Sequence, residues 1–129
     1  MLEMKKITEH VGSYLGLVES TGFEVVLDEC LGDWEGDYFA LVRNGDQYCL
    51  VVQGYGSCSG CDPLESIYGE DEKALAEMSD LRDGMFDGVS WRSADEMKHY
   101  VDSKDFALEW YFHDSDGRKF VEKLKDYFA

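Results

Sequence analysis

DYFALVRNGDQYCLVVQG, residues 37–54, is the stretch whose interpretation decides the fold. Two runs rich in valine, leucine, tyrosine and phenylalanine flank Asn44-Gly45, a dipeptide that supplies the positive φ angles of a type I′ hairpin turn. Strands are therefore expected at about 37–43 and 47–53, paired antiparallel. Upstream, FEVVLDEC (Phe23 to Cys30) has the β-branched content of a further strand. Before it, Met4, Ile7, Val11, Tyr14, Leu15 and Val18 fall at helical spacing, which predicts an amphipathic helix over 3–19, ended by Thr21-Gly22.

Downstream of the hairpin, Asp62, Pro63 and Glu65 have the order of an N-cap, a first helical residue and a capping-box partner. EDEKALAEMSDL carries that helix to about Leu81, Asp83-Gly84 turns the chain, and MFDGVSW (85–91) is a short strand candidate. Ser93 with Glu96 is a second capping box opening a short helix. FALEWYF (106–112) fits strand or helix. From Ser115, the positions Phe120, Val121, Leu124, Tyr127 and Phe128 describe a final helix. No repeat, linker or low-complexity segment interrupts the 129 residues. The expectation is one α+β domain over 1–129, with a mainly antiparallel sheet of three to four strands packed against amphipathic helices.

Composition bounds the function. The chain is 44% hydrophobic, with a single proline, as a folded globule requires. MLEMKKITEH has no apolar run behind its lysines, so no signal peptide is expected, and no stretch reaches the roughly 20 apolar residues of a membrane span. A cytoplasmic protein with reduced thiols follows as the expectation. The formal net charge is −16, and residues 19–83 hold 16 acids against Arg43, Lys73 and Arg82. A field of that sign repels nucleic acid and anionic lipid and attracts basic surfaces. LGDWEGDYF (31–39) alternates acids with aromatics. With the two acids before it, the segment nominates Asp28, Glu29, Asp33, Trp34, Glu35, Asp37 and Tyr38 as a partner-binding face, charge from the carboxylates and anchorage from the rings.

The other stretch of interest is GYGSCSGCDPLES, residues 54–66. A redox role for Cys58 and Cys61 is disfavoured, because their neighbours Asp62 and Glu65 are acids and no base lies between Arg43 and Lys73. Zinc is the better chemical alternative: Cys58 and Cys61 could present two sulfurs, with Cys30 and Cys49 as further thiols. A third alternative is a glycine-permitted turn. The loop lacks the G-K-[ST] of a phosphate cradle. Aligning Gly117 of HDSDG with a calcium-loop glycine puts Phe112 and Lys123 where carboxylates belong. No nucleophile elbow or catalytic constellation is legible, although a pocket built from distant residues would leave no trace in sequence.

With its WRS segment, FALEWYF and terminal GRKFVEKLKDYF, the cysteine loop resembles an uncharacterised group of small acidic bacteriophage-encoded proteins that carry a GSCSGCD-like stretch. The resemblance spans roughly Leu50 to Ala129 and implies an accessory protein acting inside a host cell; the group has no assigned activity. Together with the charge, it leads to the expectation of a protein-binding inhibitor. Its partner would be a host protein with a basic nucleic-acid-binding surface, such as a defence nuclease or CRISPR effector.

Overall fold

The computed structural model describes residues 14–31, 36–55, 67, 71–104, 106 and 115–129. Its sheet has the order β1 (Glu24–Leu31), β2 (Gly36–Asn44), β3 (Gln47–Tyr55), β4 (Arg92–Ser93), every neighbour antiparallel. Helices α1 (Tyr14–Glu19), α2 (Glu72–Met85), α3 (Ala94–Val101) and α4 (Ser115–Tyr127) complete the described elements. This is the α+β domain that the periodicities predict.

Strand alternation splits β2 and β3 between two cores. Tyr38, Ala40, Val42, Cys49 and Val51 face one side, where Tyr14, Leu17 and Val18 of α1 and Leu75, Met78 and Met85 of α2 cover them. Phe39, Leu41, Tyr48 and Leu50 face the other, under Met97 and Val101 of α3, Phe106, and Phe120 and Leu124 of α4. The central hairpin is thus apolar on both faces, which is why its sequence is a nearly continuous hydrophobic run. β1 is an edge strand with a bulge between Val25 and Leu27. Val25 packs with the first core, while Val26 and Leu27 both pack with the second, two residues opposite one partner residue.

The hairpin differs from expectation in its turn. The strands run to Asn44 and resume at Gln47, leaving Gly45-Asp46 as the two-residue loop. Gly45 has φ +65°, and no described residue other than glycine has positive φ. Positive φ at the first central position alone is the arrangement of a type II′ turn, so Asn44-Gly45 does not form the expected type I′ pair. The Arg43 Nε donates to the Gly45 carbonyl at 2.7 Å and its guanidinium lies 3.7 Å from Glu24, which holds the turn from β1.

Two further expectations are corrected. A helix unbroken from Asp62 to Leu81 is ruled out, because Asp71 is in extended backbone (ψ 175°) and its carboxylate accepts from the Ala74 N–H at 2.9 Å. That is a fresh N-cap, and α2 begins after it. Asp62, Pro63 and Glu65 lie outside the described residues. At its other end α2 continues to Met85, so Asp83-Gly84 belong to its last turn and the chain reverses at 86–88, with Gly88 at φ +76°. The strand expected at 85–91 is replaced by an aromatic cluster. Phe86 and Trp91 stack at 6.4 Å and Phe23 meets both edge-on. β pairing is confined to Arg92 and Ser93, because Ser93 is already the N-cap of α3, in the capping box with Glu96 that the sequence predicts.

Gly45→Ala should lower stability by about 1–2 kcal/mol, the strain of an L residue at positive φ. An added Cβ there meets nothing within 4 Å, so no clash contributes. Asn44→Ala should change stability much less, whereas a type I′ turn would make both substitutions costly. Urea denaturation of the two variants distinguishes the turn types.

Candidate interaction surface

The acidic-aromatic segment is not assembled as one displayed face. Opposite residues of an antiparallel pair share a side, so Asp28 (against Ala40) and Cys30 (against Tyr38) sit on the α1 side, and Glu29 (against Phe39) on the α4 side. Asp28 accepts a hydrogen bond from the Tyr38 hydroxyl at 3.1 Å. Glu29 is ion-paired with Lys123 of α4. Asp37 is exposed near the far end of the hairpin. Asp33, Trp34 and Glu35 lie outside the described residues.

Tyr38 as a displayed anchor is corrected. Its side chain is 1% exposed and stacks on Tyr14 with ring centroids 6.1 Å apart. Burial, and then the neighbouring Asp28 carboxylate, drive its phenol far above the usual tyrosine range, so it stays a protonated donor to Asp28. In sequence Tyr38 is an aromatic among acids, which resembles a binding face. The two-residue alternation that makes Ala40, Val42 and Tyr38 one apolar row is the signal pointing to its core role.

The cysteines follow the same geometry. Cys49 pairs with Val42, and Cys30 with Tyr38, four residues away along β2. At about 3.4 Å per residue along the strand and about 4.8 Å per strand across, the two are separated by well over 10 Å. Two sulfurs on one zinc lie within about 4.6 Å of each other, so Cys30 and Cys49 do not share an ion. The Cys30 thiol is raised by partial burial and by Asp28 and Glu29, and burial pushes Cys49 up to about 12. Neither offers a ready thiolate. Cys58 and Cys61 lie outside the described residues, and among the described residues no group of three or more His, Cys, Asp or Glu converges as ligands would.

Displayed acidity is concentrated on α2 instead. Ala74, Leu75, Met78, Arg82 and Met85 form the buried stripe. Asp71, Glu72, Glu77, Asp80, Asp83 and, just beyond the helix, Asp87 are exposed, with Lys73 the exposed base among them. At about 1.5 Å rise per residue, Glu72, Glu77, Asp80 and Asp83 spread over roughly 16 Å of axis. A buried arginine ties the helix toward α1 beneath this ridge. Arg82, 3% exposed, reaches Ser79 at 3.1 Å and Asp83 at 3.0 Å and approaches Ser20 beyond α1 at 3.5 Å. The sequence carried the signal for this face in the helical register of EDEKALAEMSDLRDG, where acids and apolar residues alternate by turns.

Comparison with known proteins gives no neighbour: no family model, no curated protein and no solved structure matches the chain. No helix among the described residues is long and apolar enough to cross a membrane.

Alkaline unfolding tests the burial of Cys49. The folded state holds its proton more tightly than the unfolded chain, whose thiol titrates near 9.0. The stabilisation is therefore intact below about pH 9 and is lost as pH rises toward about 12, with Tyr38 acting in the same direction from about pH 10 upward. Urea midpoints measured between pH 8 and 12 should fall steadily for the native chain and less steeply for Cys49→Val.

Proposed function

We propose that the chain is a phage-type accessory protein that works by binding a host protein, inhibiting one whose basic surface or channel normally holds nucleic acid. What supports this is the set of exposed carboxylates Glu72, Glu77 and Asp80 of α2, with Asp87 just beyond the helix, on a chain of net charge −16; Asp83 beside them is ion-paired with Arg82. Along the helix the carboxylates follow one another at about 4–8 Å of rise, against one phosphate per about 3.4 Å on a single strand of duplex. A lysine- and arginine-lined groove would be drawn to such a ridge rapidly and held in a salt-dependent way. Asp37 at the hairpin end would add to the same field, while Asp28 and Glu29 are committed to Tyr38 and Lys123.

The test uses defined targets: a panel of purified bacterial nucleases and CRISPR effectors, with cleavage of labelled DNA measured at low and at physiological salt. The intact chain should inhibit at least one of them, less strongly as salt rises. The reversal Glu77→Lys with Asp80→Lys and Asp87→Lys should weaken that inhibition by at least tenfold with the circular dichroism spectrum unchanged. Inhibition of none of the panel, or inhibition indifferent to the triple reversal, defeats the electrostatic mechanism.

A further inference from the structure

β4 pairs with only the first two residues of β3, Gln47 with Ser93 and Tyr48 with Arg92. Continued, that register would set Ser90 opposite Leu50 and Gly88 opposite Val52. The chain instead swings away through the turn at 86–88, and a cavity of about 390 Å³ opens between β3 and the diverging segment. Leu50 and Val52 form its sheet side; Met85, Val89 and Tyr100 give it apolar walls; Asp87, Ser90 and Arg92 are its polar groups. This volume falls within the range of roughly 300–1,000 Å³ occupied by ligand sites.

The cavity borders an edge that is already organised as a template. Asn44 and Gln47 close the two-residue turn as a hydrogen-bonded pair, so alternation directs the main-chain groups of Leu50 and Val52 away from β2, toward the open side. Among the described residues no strand pairs with β3 beyond Tyr48 on that side. Val52 is 42% exposed, unusual for a valine in this chain's central strands. The usable edge is short, since the Gln53 side chain already donates to the Gly54 carbonyl at 3.0 Å.

One end of this groove is closed and cationic. A strand laid against Leu50 and Val52 cannot continue past Tyr48, because β4 occupies the next position. Arg92 stands at that closed end, its guanidinium carbon 3.8 Å from the centre of the Tyr100 ring, which fixes its position. Among the described residues Arg92 has no carboxylate at ion-pairing distance. The nearby Glu96 is committed to the Ser93 backbone N–H at 3.1 Å. An added segment must therefore terminate where a bidentate donor waits, and the terminus with matching charge is a carboxylate.

We propose that this groove captures the carboxyl terminus of a partner polypeptide, which adds to β3 as a short antiparallel strand with its terminal carboxylate on Arg92 and the side chain opposite Leu50 on the Tyr100 side of the cavity. Main-chain pairing supplies affinity that is tolerant of sequence, and Arg92 selects the free chain terminus. The proposal shares only Asp87 with the acidic ridge, whose other carboxylates lie on the exposed face of α2.

The experiment passes two pools of octapeptides, randomised over their last four positions, across the immobilised full-length protein. One pool has free carboxyl termini and the other is amidated. The free-acid pool should be retained, with the amidated pool retained at least tenfold less. Arg92→Gln should cut retention of the free acids by about tenfold or more, the scale of losing a charge-assisted bidentate contact. Val52→Lys, at an exposed position, should do the same by obstructing the edge. Equal retention of the amidated pool, retention of neither pool, or unchanged binding by a folded Arg92→Gln variant overturns the proposal. So does a dimer in sedimentation that Val52→Lys dissociates, because a second copy would then be the occupant.

Discussion

Everything in this fold depends on the central hairpin being buried on both of its faces. A two-stranded hairpin alone is marginal in water, and covering one face would still leave the other to attract unwanted partners. Here Leu41 and Val42, adjacent in sequence, are each 0% exposed on opposite sides. Two cores follow, each covered by its own pair of helices. β4 is only two residues because Ser93 must also cap α3, and the bulge in β1 lets an edge strand feed both cores before its polar half begins. The groove beside β3 is a by-product of the same constraint, a place where the sheet ran out of strand.

Much of this frame was legible in the residues themselves. The hairpin, the strand before it, the Ser93–Glu96 box and the last helix declare themselves through β-branched runs, capping chemistry and regular apolar spacing. What escaped were choices between near-equivalent local options. Asn44-Gly45 and Gly45-Asp46 are both acceptable loops, and the difference is one residue of strand length, which the pairing of Asn44 with Gln47 settles. Asp62 and Asp71 are both competent caps, and only Asp71 shows that α2 starts afresh. MFDGVSW has the composition of a strand, yet Phe86 and Trp91 gain more by packing on Phe23 than by pairing with β3.

The surface was less legible than the core, for a physical reason. Charge totals are visible in sequence, but the sidedness of a charge depends on the periodicity of the element that carries it. Among Asp28, Glu29, Asp37 and Tyr38, consecutive residues diverge to opposite faces and two acids are spent on partners within the fold. On a helix, acids several residues apart converge on one face, which is where the displayed charge of α2 comes from. The groove on β3 had no sequence signature, since Leu50, Val52 and Arg92 are unremarkable until the chain's departure at Trp91 separates them.

The two cores are also closed at different times during synthesis. Once Met85 has been made, the hairpin has α1 and α2 for one face, while Phe39, Leu41, Tyr48 and Leu50 on the other have no cover until residues 97–124 follow. At translation rates of about 5–20 residues per second, that interval is roughly 2–8 s. For those seconds the nascent chain presents a half-finished sandwich, with a bare aromatic and aliphatic sheet face and an open β3 edge. Its dense negative charge, −13 of the net −16 already translated by then, keeps neighbouring copies apart through that window.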